Sequence, residues 1–215
     1  MKNYNVSFDS KGFQEAVKAF ENLLNSKLEL GEKKDIQPFF RDNPILIPAI
    51  AGLAEMSRMD IDELEFEFDL WQGLICDIGF GDSKTNTYCL IELEDATKES
   101  IFKNSPKNYP KYSNRLECGF SQIVDWLYKI DMMKNTSSEI KRRFASDNPK
   151  ISAILIIGRS EFLDDDSKRK RFEWRFKKTI VNSEKIICYT YDDLLDYFKV
   201  IIQRREKEGK LFDID

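Results

Sequence analysis

The chain is most tightly constrained between residues 75 and 95. Two apolar stretches there, Ile75-Cys76-Asp77-Ile78-Gly79 and Tyr88-Cys89-Leu90-Ile91-Glu92-Leu93-Glu94-Asp95, carry acids at the ends of hydrophobic runs. Side chains alternate faces along a strand, so Glu92 and Glu94 project together while Ile91 and Leu93 point the other way. Asp77, on the preceding strand, can join them. Like charges brought together at the edge of a core are costly unless they are paired or bind a cation. The pattern therefore predicts two neighbouring strands that converge on three carboxylates, with a divalent cation as the natural counter-charge.

The flanking sequence says what kind of fold presents those strands. Residues 62–71 alternate acidic and apolar side chains, as a half-exposed strand does. Turn residues at Gln72-Gly73 and Gly81-Asp82-Ser83-Lys84 complete a meander over 63–70, 74–80 and 87–94. Upstream, Phe13, Val17, Phe20 and Leu24 recur at helical spacing, and Asn43-Pro44 marks a turn before an apolar segment that runs to about Met56. Downstream, Leu116, Phe120, Ile123, Leu127 and Ile130 predict the best helix of the chain. Ile151 to Ile157 reads as a central strand covered on both faces, and a charged helix, a strand at 186–189 and a helix from Asp192 follow. The order predicts an α/β fold with a mixed central sheet flanked by helices. Residues 1–60 would form a helical segment packed on a domain of residues 61–215, in one unit overall.

Composition excludes several chemistries. The 215 residues contain no histidine, which removes a Ser-His-Asp triad and histidine-ligated zinc. Cys76, Cys89, Cys118 and Cys188 sit singly in apolar segments and read as buried thiols. No apolar run approaches a membrane span and the N-terminus lacks a signal-peptide pattern, so a cytoplasmic protein without membrane association is expected. Residues 1–100 carry 20 acidic against 10 basic side chains, and residues 101–215 carry 24 basic against 18 acidic. An acidic half holding the candidate site beside a basic half suits a polyanionic partner, although solvated helix faces give the same asymmetry.

Asp77 followed by Glu92-Leu93-Glu94, with a long helix after them, resembles the PD-(D/E)xK nuclease core. The resemblance implies that Asp77 and Glu92 bind Mg2+ or Mn2+. The position two residues after the second acid, usually lysine, holds Glu94 here. A closer resemblance is to the Shedu antiphage nuclease family. It rests on Phe40-Arg41-Asp42-Asn43-Pro44-Ile45-Leu46, Asp77, Glu92-Leu93-Glu94, Gln122 in the following helix, and Ile154-Leu155-Ile156-Ile157-Gly158-Arg159, taken in order. That family implies a DNA endonuclease in phage defence, with Gln122 beside the acids, a homo-oligomeric state, and regulation by a phage-derived or host protein. The amphipathic terminal helices, residues 11–27 and 192–207, read equally as interfaces between copies and as core.

The residues carry a matching chemistry. Two carboxylates, a carbonyl, waters and a scissile phosphate complete an octahedral magnesium site. Glu94 would then accept a proton from the attacking water or bind a second metal, and Gln122 would orient that water or a phosphate oxygen. Residues 168–178 hold seven basic side chains and three aromatics, so Lys168, Arg169, Lys170, Arg171 and Arg175 are candidate DNA contacts. Phe172 and Phe176, four apart, equally anchor a helix whose charged face is merely solvated. Lys103, Lys107, Tyr109, Lys111 and Tyr112 form a polar loop that either borders the substrate channel or is an ordinary loop. Loss of the lysine leaves a second reading open, a degenerate fold that binds nucleic acid or protein without cleaving.

Overall fold

A mixed sheet organises the computed structural model, which describes residues 1–4, 9–54, 60–103, 109–134, 138–181 and 184–212. Strands β1 (Glu63–Trp71), β2 (Leu74–Asp82) and β3 (Thr87–Leu93) form the antiparallel meander that their turns predict. A small ribbon of β4 (Phe102–Lys103) and β5 (Lys111–Tyr112) follows. β6 (Lys150–Ile156) then pairs in parallel with β3 on one side and with β8 (Glu184–Tyr189) on the other, and the two-residue β7 (Ile180–Val181) closes that edge. The order is β1-β2-β3-β6-β8-β7. Ala153, Ile154, Leu155 and Ile156 are buried, as an unbroken apolar run sandwiched between helical layers requires.

One face of the sheet is covered by the terminal helices. α1 (Ser10–Ser26) starts where Asp9 accepts the backbone N–H groups of Lys11 and Gly12, both at 3.0 Å, and it buries Phe13, Val17, Phe20 and Leu24. α2 (Gln37–Asp42) and α3 (Ile47–Ile50) extend this layer through Phe40, Ile47 and Ile50. The opposite face is covered by α4 (Asn114–Met133), α5 (Ser138–Phe144) and α6 (Asp166–Lys178). α7 (Tyr191–Phe212) returns to the α1 side, where the Phe198 ring lies 5.8 Å from Phe13 and 6.1 Å from Phe20. The apolar faces of the two terminal helices are thus used in the core, each buried phenylalanine contributing about 2–3 kcal/mol. Cys76 and Cys89 are buried, but Cys118 is exposed, because it lies on the solvent side of α4. Met56 and Lys107 lie outside the described residues.

The meander is not the regular ribbon its alternating sequence predicts. In β1, Leu64 and Phe66 face the α1 layer while Phe68 and Leu70 face the α4 layer, although all four are even-numbered. In β2, Cys76 faces α4 and Ile78 faces α1. Both strands change face at one level, where the pairing passes from Phe66↔Ile78 to Phe68↔Cys76. Glu67 sits there with φ of 51°, a left-handed conformation costly for a residue with a Cβ. Asp77 lies opposite it.

The end of β6 is fastened by Arg159. Its Nε meets both Asp192 carboxylate oxygens at 3.1 and 3.0 Å, and Nη1 donates to the Leu24 carbonyl at 2.9 Å. One buried guanidinium therefore joins the last turn of α1, the first turn of α7 and the sheet, satisfying a carbonyl left over at a helix end.

Candidate active site

Three segments distant in sequence meet at the carboxyl end of β3. Parallel strands β3, β6 and β8 all end on this side, the edge of an α/β sheet where ligands bind. Glu92 lies on the α4 face of β3 with Tyr88 and Leu90, and Glu94 follows just past the strand end. Both are buried, 7% and 5% exposed. The room for Glu94 comes from Gly119 of α4, where a Cβ would stand 3.1 Å from Glu94 Oε1 and 3.0 Å from Leu155 Cδ1.

Asp77 owes its position to the kink. Its Oδ2 accepts the Leu93 backbone N–H at 2.7 Å, so the side chain itself bridges β2 and β3. Its Oδ1 accepts the Gln37 amide at 2.6 Å, and the same amide nitrogen reaches Glu32 Oε1 at 3.1 Å. Glu32 opens a single π-helical turn, Glu32–Ile36, a local geometry frequent at functional sites. That turn is pinned to the sheet by a backbone bridge between Leu30 and Ala96 and by the Glu32 N–H donating to Asp95 Oδ1 at 2.8 Å.

On the other side stands Arg115, in the first turn of α4. Its Nη2 lies 2.8 Å from Asp95, and its Nη1 lies 3.3 Å from Glu94 and 3.5 Å from Glu32. The site thus gathers Glu32, Asp77, Glu92, Glu94 and Asp95 around one arginine. Sequence reading finds Asp77, Glu92 and Glu94 and misses the rest. Arg115 did carry a signal, since a cation in the first turn of a helix opposes the helix dipole. Glu32 and Gln37 carried none, because only the tertiary fold brings them to Asp77.

Burial and crowding of the acids shift their protonation. Burial is the first cause for all three strand acids. It pushes Asp77 up to about 6, with Glu32 and Glu67 adding to the rise and the Leu93 N–H opposing it. Glu94 rises to about 7 despite the lowering effect of Arg115. Glu92, beside Asp77, Glu94 and Glu32, is pushed up to about 10. Its Oε2 is also buried without a hydrogen-bond partner among the described residues. A buried carboxylate with an open oxygen amid like charges is a natural ligand for a hard cation, which would reverse this pKa logic.

The acids supply hard oxygen donors of the kind magnesium and manganese take, but they do not form a three-carboxylate cage. Among the described residues, no group of three or more acids or thiols is arranged to hold an ion unaided. The kink directs Asp77 to Leu93 and Gln37, while Gly119 and Arg115 take Glu94. Glu92, with an open oxygen, and Asp77, whose oxygens already accept one hydrogen bond each and keep further lone pairs, are the pair that could hold an ion completed by water, and Mg2+ is commonly bound by one or two carboxylates.

The remaining candidates lie outside this cluster. Gln122 is on α4 as expected, but its amide donates to the Ile75 carbonyl at 3.1 Å, two residues before Asp77. On α6, Lys168 and Lys170 pair with Asp164 and Asp166, and Arg169 donates to the Ser160 carbonyl. The Arg171 guanidinium stacks 4.0 Å from the Tyr109 ring centre and 5.1 Å from that of Tyr112. Arg175 grips Glu117 of α4 through two bonds of 2.6 and 2.7 Å and covers Tyr112, which sets α6 beside the first turns of α4. Tyr109 and Tyr112 therefore serve as a platform for α6, Tyr112 from the β4–β5 ribbon that stands where a polar loop is expected. No described helix is long and apolar enough to cross a membrane.

No curated protein is a significant match to the sequence. The family model described as the Shedu protein SduA C-terminal region matches residues 30–195, a span that includes Glu32, Gln37, Asp77, Glu92, Glu94, Arg115 and the whole sheet. The chain belongs to the Shedu family.

Proposed function

We propose that this Shedu protein is a metal-dependent DNA endonuclease of the PD-(D/E)xK fold, acting in defence against phage. The observation that carries the reading is Glu92, a buried carboxylate with an unpartnered oxygen and with Asp77, Glu94 and Glu32 close enough to raise its pKa. A purely structural role gives no reason to bury a carboxyl group among other acids with one oxygen left unpartnered. Asp77 and Glu92 would hold Mg2+ or Mn2+, which when bound supplies a counter-charge for a phosphate and a water of lowered pKa.

The chain's own groups divide the remaining work. Gln37 and the Leu93 N–H fix both oxygens of Asp77, as outer partners orient a ligand. Glu94, poised near neutrality at about 7, is suited to accept the proton of the attacking water. Gln122, held by its bond to the Ile75 carbonyl, would have to swing from that partner to orient the water or a phosphate oxygen. DNA would run across α6, with Lys170, whose side chain is 76% exposed, and Lys168, Arg169 and Arg171 giving phosphate contacts, while Arg175, closed on Glu117, would hold α6 in place beneath them. Lys170 can exchange its carboxylate partner Asp166 for a phosphate at little cost, since an exposed i,i+4 pair is worth only about 0.3–0.5 kcal/mol.

Supercoiled plasmid incubated with Mg2+ or Mn2+ tests the proposal. Nicking or linearisation by the wild type, lost in a folded Glu92→Ala variant, is the expected result. Cleavage that persists in Glu92→Ala overturns it. An inert wild type that becomes active as Glu94→Lys supports the alternative of a degenerate binding module.

A further inference from the structure

Arg115 is placed against the ordinary rules of helix construction. It occupies the first turn of α4, behind the Ser113 N-cap, where the aligned peptide dipoles disfavour a positive side chain by about 0.3–1 kcal/mol. Such a position is kept only if something offsets it. Glu32, Glu94 and Asp95 do so from two separate segments, and the side chain remains 49% exposed at the mouth of the carboxylate cluster.

Its contacts are those of a shared cation and not of a closed ion pair. Only the Asp95 contact is short, at 2.8 Å, while Nη1 is divided between Glu94 at 3.3 Å and Glu32 at 3.5 Å. Arg175 shows the closed alternative in the same molecule, two bonds of 2.6 and 2.7 Å to the single carboxylate of Glu117. A guanidinium has five donors in a planar fork that suits phosphate oxygens, so Arg115 can keep Asp95 and still present N–H groups to an incoming anion.

The acidity of the site makes that presentation necessary. Three acids, Glu32, Glu94 and Asp95, lie directly against Arg115, and a phosphodiester approaching them meets repulsion that one metal ion would cancel only in part. The strand offers no cation of its own, because Glu94 stands where a basic residue would project. We propose that Arg115, supplied by α4, is the phosphate-binding residue of this site, taking a non-bridging oxygen of the scissile phosphodiester while it anchors Glu94. The proposal rests on the nuclease reading for the identity of the phosphate.

The test uses a short DNA duplex labelled with a fluorophore, with Ca2+ in place of Mg2+ to support binding without cleavage. Anisotropy is measured over a range of salt for the wild type, Arg115→Lys, Arg115→Gln and the double variant Arg115→Gln/Glu94→Lys. Arg115→Gln is expected to weaken binding about 10-fold and to make the slope of log K against log salt shallower by about 1, the signature of one lost phosphate contact. Arg115→Lys keeps the slope with part of the affinity lost, and the double variant regains the slope because the strand then supplies the cation. A structural brace would change the melting temperature and leave the slope alone. An Arg115→Gln slope equal to that of the wild type, or a wild type that does not bind the duplex, overturns the proposal. Wild-type binding with the expected slope change but no plasmid cleavage leaves the phosphate site standing and removes the nuclease reading instead.

Discussion

Arg159 and Arg115 both meet acids at the end of the sheet, and they do so in opposite ways. Arg159 is buried, faces the one carboxylate of Asp192, and spends its other donors on backbone carbonyls of and just beyond α1. Arg115 is half-exposed, touches three acids, and has Asp77 and Glu92 behind them. The first centre is neutral, one guanidinium against one carboxylate. The second carries surplus negative charge in a place where water cannot fully screen it. A fold needs the first kind of centre to hold its helices, whereas the second is a cost to stability that only a ligand relieves.

The sharpest way to break this contrast is to remove each guanidinium. Arg159→Met leaves Asp192 and the Leu24 carbonyl without their partner, and should destabilise the protein by about 3–5 kcal/mol in urea unfolding. Arg115→Met, at an exposed site, should cost less than about 1 kcal/mol by the same measurement. Equal losses would show that the two centres are of one kind.

A second comparison concerns Glu92 without metal. Its folded pKa of about 10 lies above the ordinary carboxylate value, so the native state keeps a proton that the unfolded chain releases. Stability linked to this group is therefore full below about pH 4.5 and declines as pH rises towards 10, with Asp77 and Glu94 adding to the decline over its lower part. Glu92→Gln should flatten that dependence and raise metal-free stability at pH 8 by about 1–3 kcal/mol, while removing activity. Thermal melts across the pH range decide it, and a Glu92→Gln protein less stable than the wild type at pH 8 would contradict the account.

Much of this contrast was legible before the structure. Apolar periodicity marks α1 and α4, the unbroken run Ile151–Ile157 marks β6, and acids set into apolar runs mark Asp77, Glu92 and Glu94. The face change at Glu67 was hidden, because a kinked strand and a straight one share the same alternating acids and apolar residues. Glu32 and Gln37 were hidden for a different reason. Gln37 reaches Asp77 across 40 residues, and local pattern carries no trace of such a contact. Cys118 was misjudged because its apolar neighbours on α4 point inward while it points out.

Two smaller effects sharpen the picture of the open centre. Gly119→Ala should change stability by less than about 1 kcal/mol, since the gain in helix propensity offsets a tight contact with Leu155. The same Cβ presses on Glu94, so plasmid cleavage should fall about 10-fold, the loss expected when a proton acceptor is displaced. Unchanged cleavage would place Glu94 outside the chemistry. On α6, replacing Lys168 and Lys170 by glutamine should weaken duplex binding a few-fold and flatten its salt dependence, with melting temperature unaffected. Binding with an unaltered salt dependence would move the DNA path off this helix.

The claim that the surplus charge at the end of β3 is a metal site is tested most directly by Mn2+ titration of the DNA-free protein, followed by melting temperature. The account predicts a saturable rise for the wild type and none for Glu92→Gln or Asp77→Asn, because an ion that binds only the folded state stabilises it by mass action. A rise of equal size in all three proteins, or in none of them, would contradict it.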